Sequence, residues 1–313
     1  MDLLNKIINI DVVYVVYHNY EELHESLYSL KNFINKTNIN MNIFIVDNSH
    51  NINNNFKKDN LFKVIKELTQ SNFICNYYPS KYNLGFGKGC NYGANKGCSE
   101  IILFANCDTD FSPCSYGNFL NHLSLIVNNK DSVGITGPRI LNNDDLTEQS
   151  FFSFDPFSIL FKPINHIKKI SKTYKTIYKF NFLKRFINLL NYEGLPTNRL
   201  VEIDWISGCC MFMSRKFFNV SNGFDERYFL YFDDVDICRE ARKNNFKVLF
   251  DPRLVVKHLA KRQSSSTKGL VKSLLLNKTS RLHISSWLLY LIKWRKDFLY
   301  KIFLSFPNIF SRF

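Results

Sequence analysis

Hydrophobic residues enter this chain in short blocks closed by polar punctuation. Asp11–Tyr17, DVVYVVY, is a nearly continuous β-branched and aromatic run, the pattern of a buried parallel strand. Leu23, Leu27, Leu30 and Phe33–Ile34 then recur at helical spacing. Asn42–Val46, NIFIV, predicts a second strand, and the polar stretch 51–60 a loop. Phe73–Tyr78 predicts a third strand, Ile101–Ala105 a fourth, and Val133–Thr136 a short one running into Gly137-Pro138. This alternation reads as a mostly parallel, doubly wound α/β sheet. The order then changes. Residues 150–200 read as a basic, aromatic insertion, Ile203–Ser214 is apolar around Ser207-Gly208, and Phe246–Phe250 and Leu254–Val256 are strands followed by His258. No internal repeat is visible.

Between these last blocks lies GFDERYFLYFDDVDICRE, residues 223–240. FLYF is apolar and extended, and Val235, Ile237, Cys238 and Ala241 continue with helical spacing. Asp233 therefore falls where a helix N-cap belongs, with Asp234 beside it. A carboxylate kept ionised by the helix dipole suits a general base. Capping and solvation alone explain the same residues.

Composition narrows the class. With 313 residues, 45% hydrophobic and 22% charged, the chain is globular and long enough for one large α/β domain or two small ones. Its eight cysteines form no CxxC pair and no metal-finger spacing, which reads as reduced thiols in a cytosolic protein. The first residues lack the pattern of a signal peptide. No apolar run approaches the roughly 18–20 residues of a membrane span.

The net charge of +14 is local. Residues 157–192 carry Lys and Arg without Asp or Glu, and the tail beyond Lys257 is similar, with Asp297 its only acid. Such a balance invites a nucleic-acid or an anionic-membrane reading. Carboxylates gathered at strand ends would repel nucleic-acid phosphate, so no nucleic-acid partner is expected. Helical spacing would give 157–192 and 268–313 an apolar aromatic face with a basic rim, which lies either on an anionic membrane or against the domain.

The remaining chemistry sits just past strand ends, where open α/β sheets bind ligands. Asp47-Asn48-Ser49 follows the second strand. Asn106-Cys107-Asp108-Thr109-Asp110 follows the fourth, and alternate carboxylates there can share one divalent cation, or merely close an Asx turn. His258 is either structural or a ligand to that cation. Asn83-Leu-Gly-Phe-Gly-Lys-Gly-Cys-Asn91-Tyr-Gly93 lets backbone approach a ligand, with Lys88 set to meet a phosphate. Glycine punctuation before a helix explains the run equally well, and its spacing is not the dinucleotide fingerprint.

Taken in order, VDNS, NLGFGKGCNYG, NCDTD, IDWISG, GFDERYFLYFDDVDICREA and VVKH resemble the inverting glycosyltransferases of family 2, and most of all the bacterial rhamnosyltransferases that build O-antigen and related polysaccharides. The resemblance spans roughly residues 10–260 and implies a GT-A domain there, followed by a helical tail over 261–313. It implies that Tyr17, Asp47, Asn48, Asn83, Gly85, Lys88, Asn91 and Asn106 bind a nucleotide-sugar donor, with rhamnose from its thymidine diphosphate form the expected sugar. It implies Mg²⁺ or Mn²⁺ on Asp108, helped by Asp110 and completed by His258. Asp234 is then the catalytic base, and Asp204, Trp205 and Asp233 border sugar and acceptor. The implied acceptor is a polyprenyl-diphosphate-linked glycan at the cytoplasmic face of a bacterial inner membrane. Two departures stand out: Asp233-Asp234 replaces the usual Glu-Asp, and Asn106-Cys107-Asp108 replaces a pair of aspartates.

Overall fold

A computed structural model describes residues 8–34, 39–49, 55–69, 73–148, 151–152, 198–259 and 278–297. The elements run β1 (Ile8–Val16), α1 (Tyr20–Ile34), β2 (Ile39–Asp47), α2 (Asn55–Thr69), β3 (Phe73–Pro79), α3 (Phe86–Ala94), β4 (Ile101–Ala105), β5 (Thr109–Asp110), α4 (Tyr116–Asn128), β6 (Val133–Leu141), β7 (Thr147–Glu148), β8 (Phe151–Phe152), β9 (Val201–Glu202), β10 (Trp205–Ile206), β11 (Cys210–Ser214), α5 (Arg215–Ser221), α6 (Asp233–Lys243), β12 (Lys247–His258) and α7 (Lys278–Lys293). The chain divides into two compact units, residues 1–150 with 196–261, and residues 151–195 with 262–313.

In the first unit ten of the described strands form one sheet in the order β3-β2-β1-β4-β11-β6-β12-β5, with β7 on β6 and β9 on β12; β10 lies outside it. β3, β2, β1 and β4 are mutually parallel, as are β6 and β12. β11 runs antiparallel between β4 and β6, so β6 points the same way as β4. This α/β sheet is parallel in its first half and mixed in its second.

The unbroken apolar run of β1 is explained by cover on both faces. Val12 and Tyr14 pack into the core with Leu23, Leu27 and Leu30 of α1. Val13 and Val15 meet α3, where a Cβ on Gly93 or Gly89 would lie 2.6 or 2.9 Å from their methyl carbons. The glycines of the GFGKGCNYG run therefore let α3 settle directly on the sheet.

Several sequence expectations are revised. The described part of the presumed loop 51–60 begins α2, whose Leu61, Val64 and Leu68 are buried at helical spacing. The strand expected to stop near Thr136 continues through Pro138 to Leu141. Proline gives no N–H to a ladder, and β12 bulges between Asp251 and Val255 opposite it. The two strands expected around that bulge are thus one. Asp233 is not the N-cap of α6. Phe232 holds that place without a side-chain cap, and both it and Tyr231 have left-handed backbone, at φ 63° and 69°.

Of the second unit the described residues are chiefly α7 and its extension to Asp297. Ser286, Tyr290 and Trp294 are buried along one side, while Leu288 and Ile292 are 46% and 59% exposed. No described helix is long and apolar enough to cross a membrane. The basic insertion expected at 150–200 and the tail segments 261–277 and 298–313 lie largely outside the described residues.

Candidate active site

Strand order brings the singled-out residues to one edge. β1, β2 and β4 are parallel and end at Val16, Asp47 and Ala105. The Asn48 N–H donates to the Val16 carbonyl at 2.8 Å, closing the first two ends together. Ala105 pairs with Cys210, and the Asn106 N–H donates to the Cys209 carbonyl at 2.8 Å. The next residue back, Gly208, donates its N–H to Asp234 Oδ2 at 3.1 Å. A short path of main-chain bonds therefore joins the Asn106–Asp108 turn to Asp234.

Asp234 stands in the first turn of α6, half-buried, and its Oδ1 accepts the Val235 N–H at 2.8 Å. Two donors hold the carboxylate in place. Gly208 packs so closely that a Cβ there would lie 3.3 Å from Asp234 Cβ. Asp233 is in a different setting. It is 5% exposed, its Oδ2 has no hydrogen-bond partner, and Gly87 of α3 lies against its Cβ. Burial, reinforced by the Asp234 charge, pushes its carboxyl well above the usual carboxylate range.

At the other strand end, Asp108 Oδ1 lies 3.2 Å from His258 Nε2, and the Asn106 amide is 3.5 Å from the same nitrogen. The Leu259 N–H donates to the Asp108 carbonyl at 2.9 Å, and the β5–β12 pairing sets Thr109 opposite His258. A carboxylate and an imidazole, both partly open, form an oxygen–nitrogen donor pair for a divalent cation, the carboxylate being the part that suits Mg²⁺ or Mn²⁺. Among the described residues no three or more His, Cys, Asp or Glu side chains gather as a cage, so such an ion would draw further ligands from water or substrate. Asp110 turns its Oδ1 to the backbone and hydroxyl of Ser112, at 2.9 and 2.6 Å.

The donor candidates divide. Asp47 is buried and already engaged: the Tyr20 hydroxyl donates to its Oδ2 at 2.8 Å, the Tyr77 hydroxyl reaches the same atom, and the Ser49 N–H donates to Oδ1 at 2.8 Å. Burial raises the Asp47 carboxyl, but these hydrogen bonds outweigh it and hold the group below its ordinary value. Burial pushes Tyr20 up to about 12. Asn48 donates to the Gly85 carbonyl at 2.9 Å and leaves its buried Oδ1 unpartnered. Tyr17 is 53% exposed and stacks obliquely on His18.

Gly85 is the junction. It has φ +83°, its N–H is held by Asn83 Oδ1 at 2.9 Å, and a Cβ on it would lie 2.4 Å from the Phe229 carbonyl oxygen. That carbonyl accepts the Phe86 N–H at 3.0 Å. Asn91 clasps both the N–H and the carbonyl of Phe224 at 2.8 Å. Lys88 pairs with Glu226 at 3.0 Å. The glycine-rich segment thus docks against the acidic loop. Further away, Asp204 is bound by Arg242 and Trp205 is buried.

Sequence reasoning found both strand-end carboxylates but missed Tyr20 and Tyr77, and it noted Gly208 without its bond to Asp234. A tyrosine opening a helix and another near a strand's end carry no signal until their strands are placed side by side. None of the eight cysteines is in a disulfide.

Comparison with known proteins gives the family. The family model described as Glycosyl transferase family 2 matches residues 11–219. N-acetylglucosaminyl-diphospho-decaprenol L-rhamnosyltransferase of Mycobacterium tuberculosis is 38% identical over 63 residues, which is 20% of this chain and 20% of that protein. Rhamnosyltransferase WbbL of Escherichia coli is 25% identical over 118 residues, 37% of this chain and 42% of that one. The alignments thus span less than half of either relative. The crystal structure of GalNAc-T7 with UDP, GalNAc and Mn²⁺ superposes with a TM-score of 0.54 at 14% identity, covering 84% of this chain and 46% of that one. The shared fold is that of the GT-A glycosyltransferases.

Proposed function

Because this chain belongs to glycosyl transferase family 2, we propose that it transfers a sugar from a nucleotide donor to an acceptor hydroxyl with inversion at the anomeric carbon. The relatives' names support L-rhamnose as the sugar and a lipid-diphosphate-linked saccharide as the acceptor, within bacterial surface polysaccharide synthesis. The observation that supports the reading is the short hydrogen-bonded path from the Asn106–Asp108 turn through Cys209 and Gly208 to Asp234.

Asp234 is the base. The acceptor oxygen loses its proton to Asp234 Oδ2 or Oδ1 as it bonds to the anomeric carbon. The bond to the diphosphate breaks on the opposite face, and the electron pair leaves with the nucleoside diphosphate. Asp108 and His258 are the residues that would hold Mg²⁺ or Mn²⁺. When bound, that ion offsets the negative charge growing on the leaving diphosphate. Tyr17, Asn48 and the Gly85 turn face the donor's nucleoside. Asp47 acts through them, since its oxygens are occupied by Tyr20, Tyr77 and Ser49.

The basic tail is assigned to an anionic membrane surface at the cytoplasmic face, where a lipid-linked acceptor resides. Exposed Leu288 and Ile292, with exposed Arg281, Arg295 and Lys296 on the same segment, support this. Co-sedimentation with anionic but not neutral vesicles is expected, and recovery wholly in the supernatant refutes it.

The activity is tested by thermal stabilisation with a panel of nucleotide sugars, with and without Mn²⁺, followed by NMR of the product's anomeric configuration. Stabilisation by a thymidine diphosphate sugar that requires the metal, and an inverted product, are expected. A retained configuration removes the single-displacement mechanism.

A further inference from the structure

β6 carries an arginine that no other described side chain answers. Side chains alternate along a strand. Thr136 faces α4, where its hydroxyl lies 2.7 Å from His122 Nε2. Gly137 faces the other way, where a Cβ would lie 2.0 Å from Ile206 Cδ1. Arg139 shares the Gly137 side. Ile206 is two residues before Gly208, whose N–H holds Asp234, so Arg139 faces the side of the sheet that carries the acidic pair. Because β6 points the same way as β4, its last residues approach the edge at which β4 delivers Asn106 and Asp108.

Arg139 is half-buried. Its Nε is fully enclosed without a hydrogen-bond partner, and no ion pair joins it to another described residue. Other arginines of this unit are matched, shielded Arg215 included: Arg215 Nη2 lies 2.6 Å from Asp11, while the more open Arg253 Nε lies 2.8 Å from Asp251 and Arg242 binds Asp204 and Glu202. A guanidinium cannot shed its charge. Enclosing an unmatched donor is unfavourable, and more so when the group is charged. On a central strand, near the edge at which β4 ends, such a group calls for an anion that the described residues do not supply. The planar fork of arginine fits phosphate through two parallel N–H bonds.

We propose that Arg139 is a phosphate-binding residue of this site, gripping a diphosphate of one of the two substrates: that of the sugar donor, or that joining a saccharide acceptor to its lipid. The identity of the diphosphate rests on the transferase reading; the existence of an anion site does not.

Full-length wild type, Arg139→Gln and Arg139→Lys are compared by calorimetry with inorganic pyrophosphate and with dTDP and UDP in Mn²⁺. Initial rates are measured with the acceptor saccharide offered either as a lipid diphosphate or as a plain alkyl glycoside. Arg139→Gln is expected to weaken pyrophosphate binding at least tenfold, with Arg139→Lys intermediate. A parallel loss for dTDP and UDP assigns the donor; lost preference for the lipid diphosphate over the alkyl glycoside assigns the acceptor. The unliganded Gln variant should melt at or above the wild-type temperature, because an enclosed, unmatched N–H of a charged group has gone. Unchanged pyrophosphate affinity together with unchanged acceptor preference overturns the proposal, as does a lower melting temperature without any loss of binding. If wild type takes no sugar nucleotide at all, the transferase reading falls while the pyrophosphate titration still decides the role of Arg139.

Discussion

Asp234 receives the N–H groups of Gly208 and Val235, while the buried Oδ2 of its neighbour Asp233 receives none. The first arrangement fixes where a carboxylate points; the second favours a carboxylic acid. In Asp234→Asn the side-chain oxygen still accepts from Gly208, but no basic group remains. Turnover should fall about a hundred- to ten-thousandfold while nucleoside diphosphate affinity stays near wild type. Calorimetry beside initial rates checks this, and near-normal turnover removes Asp234 from the role. Asp233 gives a prediction of opposite kind. Its folded pKa is raised, so above the unfolded carboxyl's pKa of about 4 the unfolded chain has released a proton that the folded chain keeps. Stability then falls as pH rises through that interval, by up to about 1.4 kcal/mol per unit, until the raised folded pKa is passed. Asp233→Asn removes the titrating group, and chemical denaturation at a series of pH values should show a flatter profile and a higher stability at the alkaline end.

At the scale of elements, Gly85 ties the start of α3 to the loop that leads into α6. Its φ of +83° and ψ of −176° belong to a region that is essentially glycine-only. Any Cβ there would also strike the Phe229 carbonyl that caps Phe86. Gly85→Ala should cost on the order of 2 kcal/mol and weaken donor binding as well, through displacement of Asn48. An equilibrium urea curve and a donor titration measure the two effects. The strand ends were readable from the sequence because buried parallel strands are nearly pure apolar runs, so Asp47 and Asn106–Asp108 stood out as their terminators. The roles of the glycines were not, since one pattern serves both a phosphate cradle and a helix pressed onto a sheet. Only the positions of Val13, Val15 and Phe229 decide between them. The α6 start was misjudged for a related reason. An aspartate after an apolar run signals an N-cap, but two left-handed aromatic residues shift the helix by one position and turn Asp233 inward. The continuation of β6 past Gly137-Pro138 was hidden because the β12 bulge that accommodates Pro138 lies more than a hundred residues away.

Over the whole first unit, the sheet separates what holds the fold from what serves the site. Asp11, fully buried in β1, accepts from the Ser99 N–H at 2.8 Å, the Ser99 hydroxyl at 2.7 Å, Asn42 at 3.0 Å and Arg215 at 2.6 Å. Arg215 also donates to the Ala94 carbonyl at 2.8 Å and the Ser99 carbonyl at 3.1 Å. One ion pair thereby fastens β1 and β2 to the end of α3, the turn before β4 and the start of α5. It lies five residues, or about 17 Å, before the end of β1, away from Asp47, Asp108 and Asp234. Removing the cation leaves a buried carboxylate without its charge partner, a change that costs about 3–5 kcal/mol. Arg215→Ala should therefore lower the unfolding free energy by that amount, read as a lower denaturant midpoint at unchanged m-value, while the protein that remains folded keeps a wild-type KM for the donor. Arg215→Lys, which keeps the charge but loses the fork to the two carbonyls, should fall between. If Arg215→Ala instead raised the donor KM and left the midpoint unchanged, the ion pair would belong to the site, and the division of the sheet into a stabilising end and a chemical end would be wrong.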